Sequence, residues 1–114
     1  MNKLIEKLRA FAQERDWDQF HSPKNLAMAL SVEVAEIVAH FQWLTEEQSK
    51  NLPSDKLGKV ETELADTFIY LIQLADKLEI NLLTAAQSKI EVNEQKYPVD
   101  KAKGNAKKYT ELDK

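Results

Sequence analysis

The stretch LAMALSVEVAEIVAHF, residues 26–41, decides the fold of this chain. Apolar residues lie on nearly every side of a helix built from it, interrupted by four polar side chains, Ser31, Glu33, Glu36 and His40. Ser22-Pro23 just before it is a strong helix start, because Ser caps free N–H groups and Pro at the first helical position loses no hydrogen bond. The helix predicted from about Pro23 to Gln42 therefore needs cover on all sides.

Further helices are predicted from apolar spacing and from capping residues. The expected ranges are 2–14, 23–42, 56–78 and 81–97, with a short helix over about 45–51. Thr45 and Gln48 fit a capping box, Ser54 or Asp55 is expected to cap the third long helix, and Asn81 the fourth. Residues 15–21 read as a loop, and the structure of residues 99–114 stays open. Four helices with short links predict an all-α four-helix bundle.

The size and composition of the chain limit the alternatives. Its 114 residues correspond to one domain, residues 1–114, and two Gly and three Pro are too few for the many turns of an all-β sandwich or barrel. A chain of this length cannot cover two nearly all-apolar helices by itself. We therefore expect a homo-oligomer.

Several classes of function are excluded or disfavoured. The chain has no Cys, which excludes a disulfide scaffold, a thiol nucleophile and a Cys-ligated metal, and its two His are too few for a His-rich site. Residues 1–98 hold eleven basic and sixteen acidic residues, whereas the basic segment 99–114 holds five Lys and three acids. This acidic body does not predict nucleic-acid binding. No apolar run reaches the ~20 residues of a membrane span and no signal core is seen, so a cytoplasmic protein is expected.

Two acidic pairs lie inside the two most apolar helices. Glu33 and Glu36 are three residues apart, as are Glu63 and Asp66, so each pair shares one helix face. Burying unpaired carboxylates costs several kcal/mol, and a bound cation removes that cost; Mg²⁺ prefers such oxygen ligands. The alternatives are ordinary solvated acids or a di-iron bundle. The di-iron pattern requires Glu-x-x-His from two helices, which this chain lacks.

A second polar cluster lies on the fourth long helix. Lys89, Asn93 and Lys96 lie along one face, followed by Tyr97. Two ammonium groups and an amide could bind phosphate oxygens beside a metal site, although a solvated face with ion pairs is the simpler interpretation of these residues alone.

The sequence resembles the all-α nucleoside triphosphate pyrophosphohydrolases, the MazG-like superfamily, in its dCTP pyrophosphatase-like branch. The resemblance is carried by EVAE at 33–36 and ELAD at 63–66, and by the segments ERDWDQFH at 14–21, FQW at 41–43, KYPV at 96–99 and KKYTEL at 107–112. It covers roughly residues 4–112. It implies a MazG-like four-helix bundle assembled as a dimer of dimers, a homotetramer.

The resemblance also implies an activity, the Mg²⁺-dependent hydrolysis of a (deoxy)nucleoside triphosphate to the monophosphate and pyrophosphate. The implied metal ligands are Glu33, Glu36, Glu63 and Asp66. Either Glu33 or Glu36 would also activate the attacking water. The expected role is the removal of unwanted nucleotides from the pool, with dCTP-like substrates preferred.

Substrate-binding residues follow from the same resemblance. Lys89, Asn93, Lys96, Tyr97, Lys108 and Tyr109 would hold phosphate and sugar, and Trp17, His21, Asn25 and Trp43 would build the base pocket. The chain departs from the branch at a few positions, with Lys at 24, 96 and 103 where Arg is usual and Asn105 where Ser is usual. Lys is a point charge and Arg a planar fork, so phosphate geometry would differ. The alternatives are another substrate, such as dATP or dUTP, or a non-catalytic nucleotide-binding module.

Overall fold

A computed structural model describes residues 1–112 apart from the side chain of Tyr109. These residues form helices, turns and links, and none of them lies in a strand. The all-α class predicted from the sequence is confirmed. The chain divides into two compact units, Met1–Ile80 and the remainder from Asn81, and each is described by itself. The single-domain organisation stays a prediction.

The long helices lie where the apolar spacing placed them. The first unit contains α1 (Asn2–Glu14), a 3-10 turn (Asp18–Phe20), α2 (Pro23–Phe41), α3 (Glu46–Lys50) and α4 (Ser54–Lys77). The second unit contains α5 (Leu82–Lys96), α6 (Val99–Ala102) and a 3-10 turn (Tyr109–Glu111). The short α6 and both 3-10 turns were not predicted, because each is too short to show a periodic pattern.

Three of the expected caps are present. The Ser22 hydroxyl accepts from the Asn25 amide at 3.1 Å, Asn81 accepts from the amide of Thr84 at 3.0 Å, and Thr45 with Gln48 forms both bonds of a capping box. The prediction that Ser54 or Asp55 caps α4 is wrong. Pro53 is the capping residue, because its extended backbone places its carbonyl to accept from the Leu57 amide at 2.9 Å.

Helix α4 is the centre of the first unit, since both α2 and α1 pack against it. The buried residues come from all three helices: Ala12, Leu26, Val60, Ile72 and Ala75. This core contains few of the apolar residues of the first unit, and many others are exposed. Met28, Val32 and Val38 on α2 are 58%, 55% and 53% exposed, so α2 is not covered within one chain. No helix in residues 1–112 has both the length and the hydropathy to cross a membrane.

Helices α1 and α4 end in the same way. Asp16 and Glu79, each two residues past the last helical residue, have φ of 55° and 57°. Behind them the amides of Trp17 and Ile80 reach back to the carbonyls of Ala12 and Ala75, both at 2.9 Å. This is the Schellman pattern, which usually has Gly at the left-handed position. Both ends therefore keep a backbone strain that Gly would relieve.

Candidate active site

Three carboxylates from two helices meet in the first unit. Glu33 and Glu36 lie one turn apart on α2, and the packing of α2 against α4 brings Glu63 to them. One carboxylate oxygen of each residue lies within 4.8 Å of the others. We call Glu33, Glu36 and Glu63 the acid cluster. The sequence predicted that these three side chains share a site, and the structure brings them together.

The surroundings of the acid cluster raise the pKa values of two of its members, Glu33 and Glu63. The pKa of Glu63 is raised to about 7, first by a hydrogen bond with Glu36, then by burial and by a hydrogen bond with Glu33. Burial also raises the pKa of Glu33, as do the negative charges of Glu36 and Asp66, although its hydrogen bond with Glu63 opposes the rise. Like charges this close disfavour one another's ionised forms, which is the direction in which both pKa values move.

Two oxygens of the acid cluster lack a protein partner. The Oε2 atoms of Glu33 and Glu63 are buried and accept no hydrogen bond from the described residues. An unsatisfied buried acceptor is costly. A set made only of carboxylate oxygens suits a hard divalent cation such as Mg²⁺. The residues present therefore fit a metal ion, and the group contains no His of the kind that a di-iron site requires.

Asp66 is the fourth predicted ligand. It lies on α4 close to one turn after Glu63, and its side chain is half-buried. It lies outside the group of three oxygens, but its charge contributes to the raised pKa of Glu33. Its role as a ligand stays a prediction.

The predicted base-binding loop lies between α1 and α2. We define it as residues 15–21. The ring of Trp17 meets the ring of Phe11 edge-on, with centroids 5.7 Å apart, and remains 46% exposed. His21 is half-buried at the end of the 3-10 turn. Asn25 is exposed, and its side-chain amide donates a hydrogen bond to the carbonyl of Phe20 at 3.0 Å.

Two ion pairs at the end of α4 were not predicted. Lys77 of α4 contacts Asp18 in the base-binding loop. Arg9 on α1 donates two hydrogen bonds to Asp76, from Nε to Oδ2 at 2.9 Å and from Nη2 to Oδ1 at 2.5 Å. The partners are 59 and 67 residues apart, so no local spacing could have revealed them.

The remaining predicted residues are exposed or lie in the second unit. Trp43, just after α2, is 87% exposed, so its ring is accessible for stacking. Lys89 and Asn93 lie exposed on α5, Lys96 is half-buried at its last position, and Tyr97 follows it. Lys108 is exposed in a segment without regular secondary structure. The Tyr109 side chain lies outside the described residues.

Fold and site together define an all-helical protein that gathers carboxylates from two packed helices in a form suited to a divalent cation. A model of the MazG-like family matches residues 28–112, and this chain belongs to that family. The resemblance found in its motifs is thereby confirmed at the level of the family.

Named relatives agree with this membership. The chain is 44% identical to dCTP pyrophosphatase 1 of Mus musculus over 111 residues, covering 95% of the chain and 65% of the relative. It is 40% identical to dCTP pyrophosphatase 1 of Homo sapiens over the same share. It thus spans about 65% of the length of these curated relatives. The crystal structure of a pyrophosphatase from Archaeoglobus fulgidus superposes with a TM-score of 0.81 and 43% identity, covering 86% of this chain and 92% of that one.

Proposed function

We propose that this protein hydrolyses (deoxy)nucleoside triphosphates between the α and β phosphorus, releasing a nucleoside monophosphate and pyrophosphate, with dCTP-like substrates preferred. The observation that carries the proposal is the acid cluster, in which one oxygen of each residue lies within 4.8 Å of the others and two buried oxygens have no hydrogen-bond partner among the described residues. Relatives named as dCTP pyrophosphatases support the choice of substrate. Removal of unwanted nucleotides in the cytoplasm is the role we propose.

Glu33, Glu36, Glu63 and Asp66 are the proposed ligands of Mg²⁺. When bound there, the ion supplies charge neutralisation for the phosphates and acidifies a water molecule. The raised pKa values of Glu33 and Glu63 reflect burial and neighbouring carboxylates, and a cation held at this place would favour their ionised forms.

Glu33 or Glu36 would act as the general base. The carboxylate takes a proton from the attacking water, the water oxygen forms a bond to the α-phosphorus, and the bond from that phosphorus to the bridging oxygen breaks. Pyrophosphate leaves with the bonding electrons. Glu33 and Glu36 lie one turn apart on α2 within the acid cluster, so either carboxylate is close enough to the proposed metal to serve a water molecule there.

Substrate binding is assigned by the motifs. Phosphate and sugar would be held by Lys89, Asn93, Lys96, Tyr97, Lys108 and Tyr109. The base would be held by Trp17, His21, Asn25 and Trp43. Two largely or partly exposed Trp rings support a stacking pocket, since ring stacking is worth about 1–3 kcal/mol per base.

We propose further that the protein is a homotetramer built as a dimer of dimers. Apolar side chains of α2 and α4 support this, because Met28, Val32, Leu64 and Phe68 are all exposed in the single chain. Large exposed apolar patches mark interaction surfaces. Sedimentation equilibrium should give a mass near four times 13.1 kDa, and a monomer mass at micromolar concentration would contradict the assembly.

The activity is tested by incubating the purified protein with each deoxynucleoside triphosphate, with Mg²⁺ or with a chelator, and identifying products by phosphorus NMR. Monophosphate and pyrophosphate, formed only with the metal and fastest from dCTP, are the expected result. Inorganic phosphate and a diphosphate would overturn the bond assignment. Equal rates with dATP and dUTP would indicate a broader substrate range, and binding without turnover would indicate a nucleotide-binding module.

A further inference from the structure

We infer that Lys77 is a positioning residue for the base-binding loop. Its ammonium pairs with the Asp18 carboxylate, which lies between Trp17 and His21 in the loop. The inference rests on the proposed function for the statement that this loop reads the base. Lys77 lies outside the motifs that carry the family resemblance.

The loop is shaped first by bonds to its own neighbours. The Gln19 side-chain amide donates to the carbonyl of Asp16 at 3.0 Å, and the Asn25 amide donates to the carbonyl of Phe20 at 3.0 Å. The amides of Phe20 and His21 close the 3-10 turn at 2.8 and 3.1 Å. These bonds define the conformation of the loop between α1 and α2.

The Lys77 pair adds a tie of a different kind, because it joins the loop to α4 across 59 residues of sequence. Helix α4 also carries Glu63 and Asp66. Lys77 follows Glu63 by 14 residues. At a helical rise of 1.5 Å this is about 21 Å along one continuous helix. The pair therefore ties the loop to a helix that also carries one acid of the acid cluster.

The expected size of the effect follows from exposure. The side chain of Lys77 is 30% exposed and that of Asp18 60% exposed. Solvent and salt weaken pairs of this kind, so loss of the tie should loosen the loop without unfolding the protein. Substrate binding should weaken while the chemistry at the acid cluster continues. The expected kinetic result is a higher KM at a nearly constant kcat.

Three variants test the tie, and a fourth is the matched control. Lys77→Met and Asp18→Asn each break the pair, and Lys77→Arg keeps it; Asp18→Asn also leaves the charge of Lys77 at the end of α4. Arg9→Met breaks the neighbouring pair, which joins α1 to α4 and does not touch the loop. KM and kcat are measured for the best nucleotide, and hydrogen exchange of the Phe20 and His21 amides is measured without nucleotide.

Lys77→Met and Asp18→Asn should raise KM about two- to five-fold, leave kcat within about two-fold and speed exchange at both amides. Lys77→Arg should behave as the wild type. Arg9→Met should change neither KM nor loop exchange. Unchanged KM or exchange in Lys77→Met, or equal changes in Arg9→Met, would overturn the inference. If the wild type hydrolyses no nucleotide, the proposed function fails, and the exchange rates alone still decide whether Lys77 holds the loop.

Discussion

Helix α4 carries acids in two contrasting settings. In its middle, Glu63 meets Glu33 and Glu36, and two of their buried oxygens have no hydrogen-bond partner within the part of the chain that the structure describes. Near its end, Asp76 accepts hydrogen bonds from two nitrogens of the Arg9 guanidinium, and Lys77 pairs with Asp18. The same helix thus gathers like charges at one place and neutralises each charge at another.

The pKa values follow this contrast. The pKa of Glu63 rises to about 7 through its hydrogen bond with Glu36, whereas the hydrogen bond from Arg9 lowers the pKa of Asp76. A folded chain tolerates the first arrangement only at a cost to its stability. Acids that the protein leaves uncompensated point to a ligand, and acids that it compensates point to structure.

The largest expected effect is on activity. Glu63→Gln keeps the size of the side chain but removes its charge, so it should lower kcat/KM more than about 100-fold, since even groups that only support a metal ligand can cost 10–100-fold. Glu61→Gln is the matched control, because Glu61 is exposed two residues earlier on the same helix. Steady-state rates with dCTP and Mg²⁺ make the comparison. Equal activity in both variants would show that Glu63 is not a ligand.

The second prediction concerns the pH dependence of stability without metal. The raised pKa of Glu63 means that the folded protein binds this proton more tightly than the unfolded chain. Its contribution to stability is complete below the ordinary value of 4.5 and is lost as pH rises to about 7. Thermal unfolding in a chelator should therefore show Tm falling across this window.

Two controls separate this effect from others. Glu63→Gln should flatten the fall in Tm, and Mg²⁺ should reverse it, because a ligand that binds only the folded state stabilises that state. Asp76 has the opposite pH dependence. Because its pKa is lowered, its contribution to stability is present above its ordinary value of 3.8 and is lost only as pH falls below that value. A Tm that rises between pH 4.5 and 7 in wild type and variant alike would contradict the assignment to Glu63.

Local patterns explain why much of this arrangement could be predicted. Helix bounds came from apolar spacing and from Ser22, Thr45 and Asn81, whose capping bonds are all formed within four residues. The acid pairs share a face by helix geometry. Their meeting across α2 and α4 followed from two apolar helices that had to pack.

Other features depend on the tertiary structure and leave no local mark. The pairs Arg9–Asp76 and Lys77–Asp18 join distant segments. The start of α4 was misplaced because a Pro carbonyl can open a helix without a side-chain cap. The left-handed residues Asp16 and Glu79 were missed because sequence reasoning looks for Gly at such ends. The assembly of subunits stays a prediction.

The third prediction concerns the compensated end of α4. Asp76→Asn removes the charge that binds Arg9, so Tm should fall by about 2–4 °C without a change in kcat/KM. Glu14→Gln is the control, since its single contact with Arg15 is 3.6 Å long and joins side chains 72% and 44% exposed. That variant should leave Tm unchanged. A large loss of activity in Asp76→Asn would mean that the Arg9–Asp76 pair also serves the site, as is proposed for Lys77.

The last prediction concerns the two left-handed residues, Asp16 and Glu79. Glu79→Gly removes a left-handed strain of about 1–2 kcal/mol but gives the unfolded chain extra freedom, so it should stabilise the protein by about 0.5–1 kcal/mol. Asp16→Gly should gain less, because the Asp16 carboxylate also accepts a bond from Gln19 at 3.1 Å and Asp tolerates this conformation better. Urea unfolding with unchanged m-values measures both. An equal gain at both positions would show that the Gln19 bond adds nothing to the base-binding loop, and that the loop depends on its backbone bonds and on Lys77 instead.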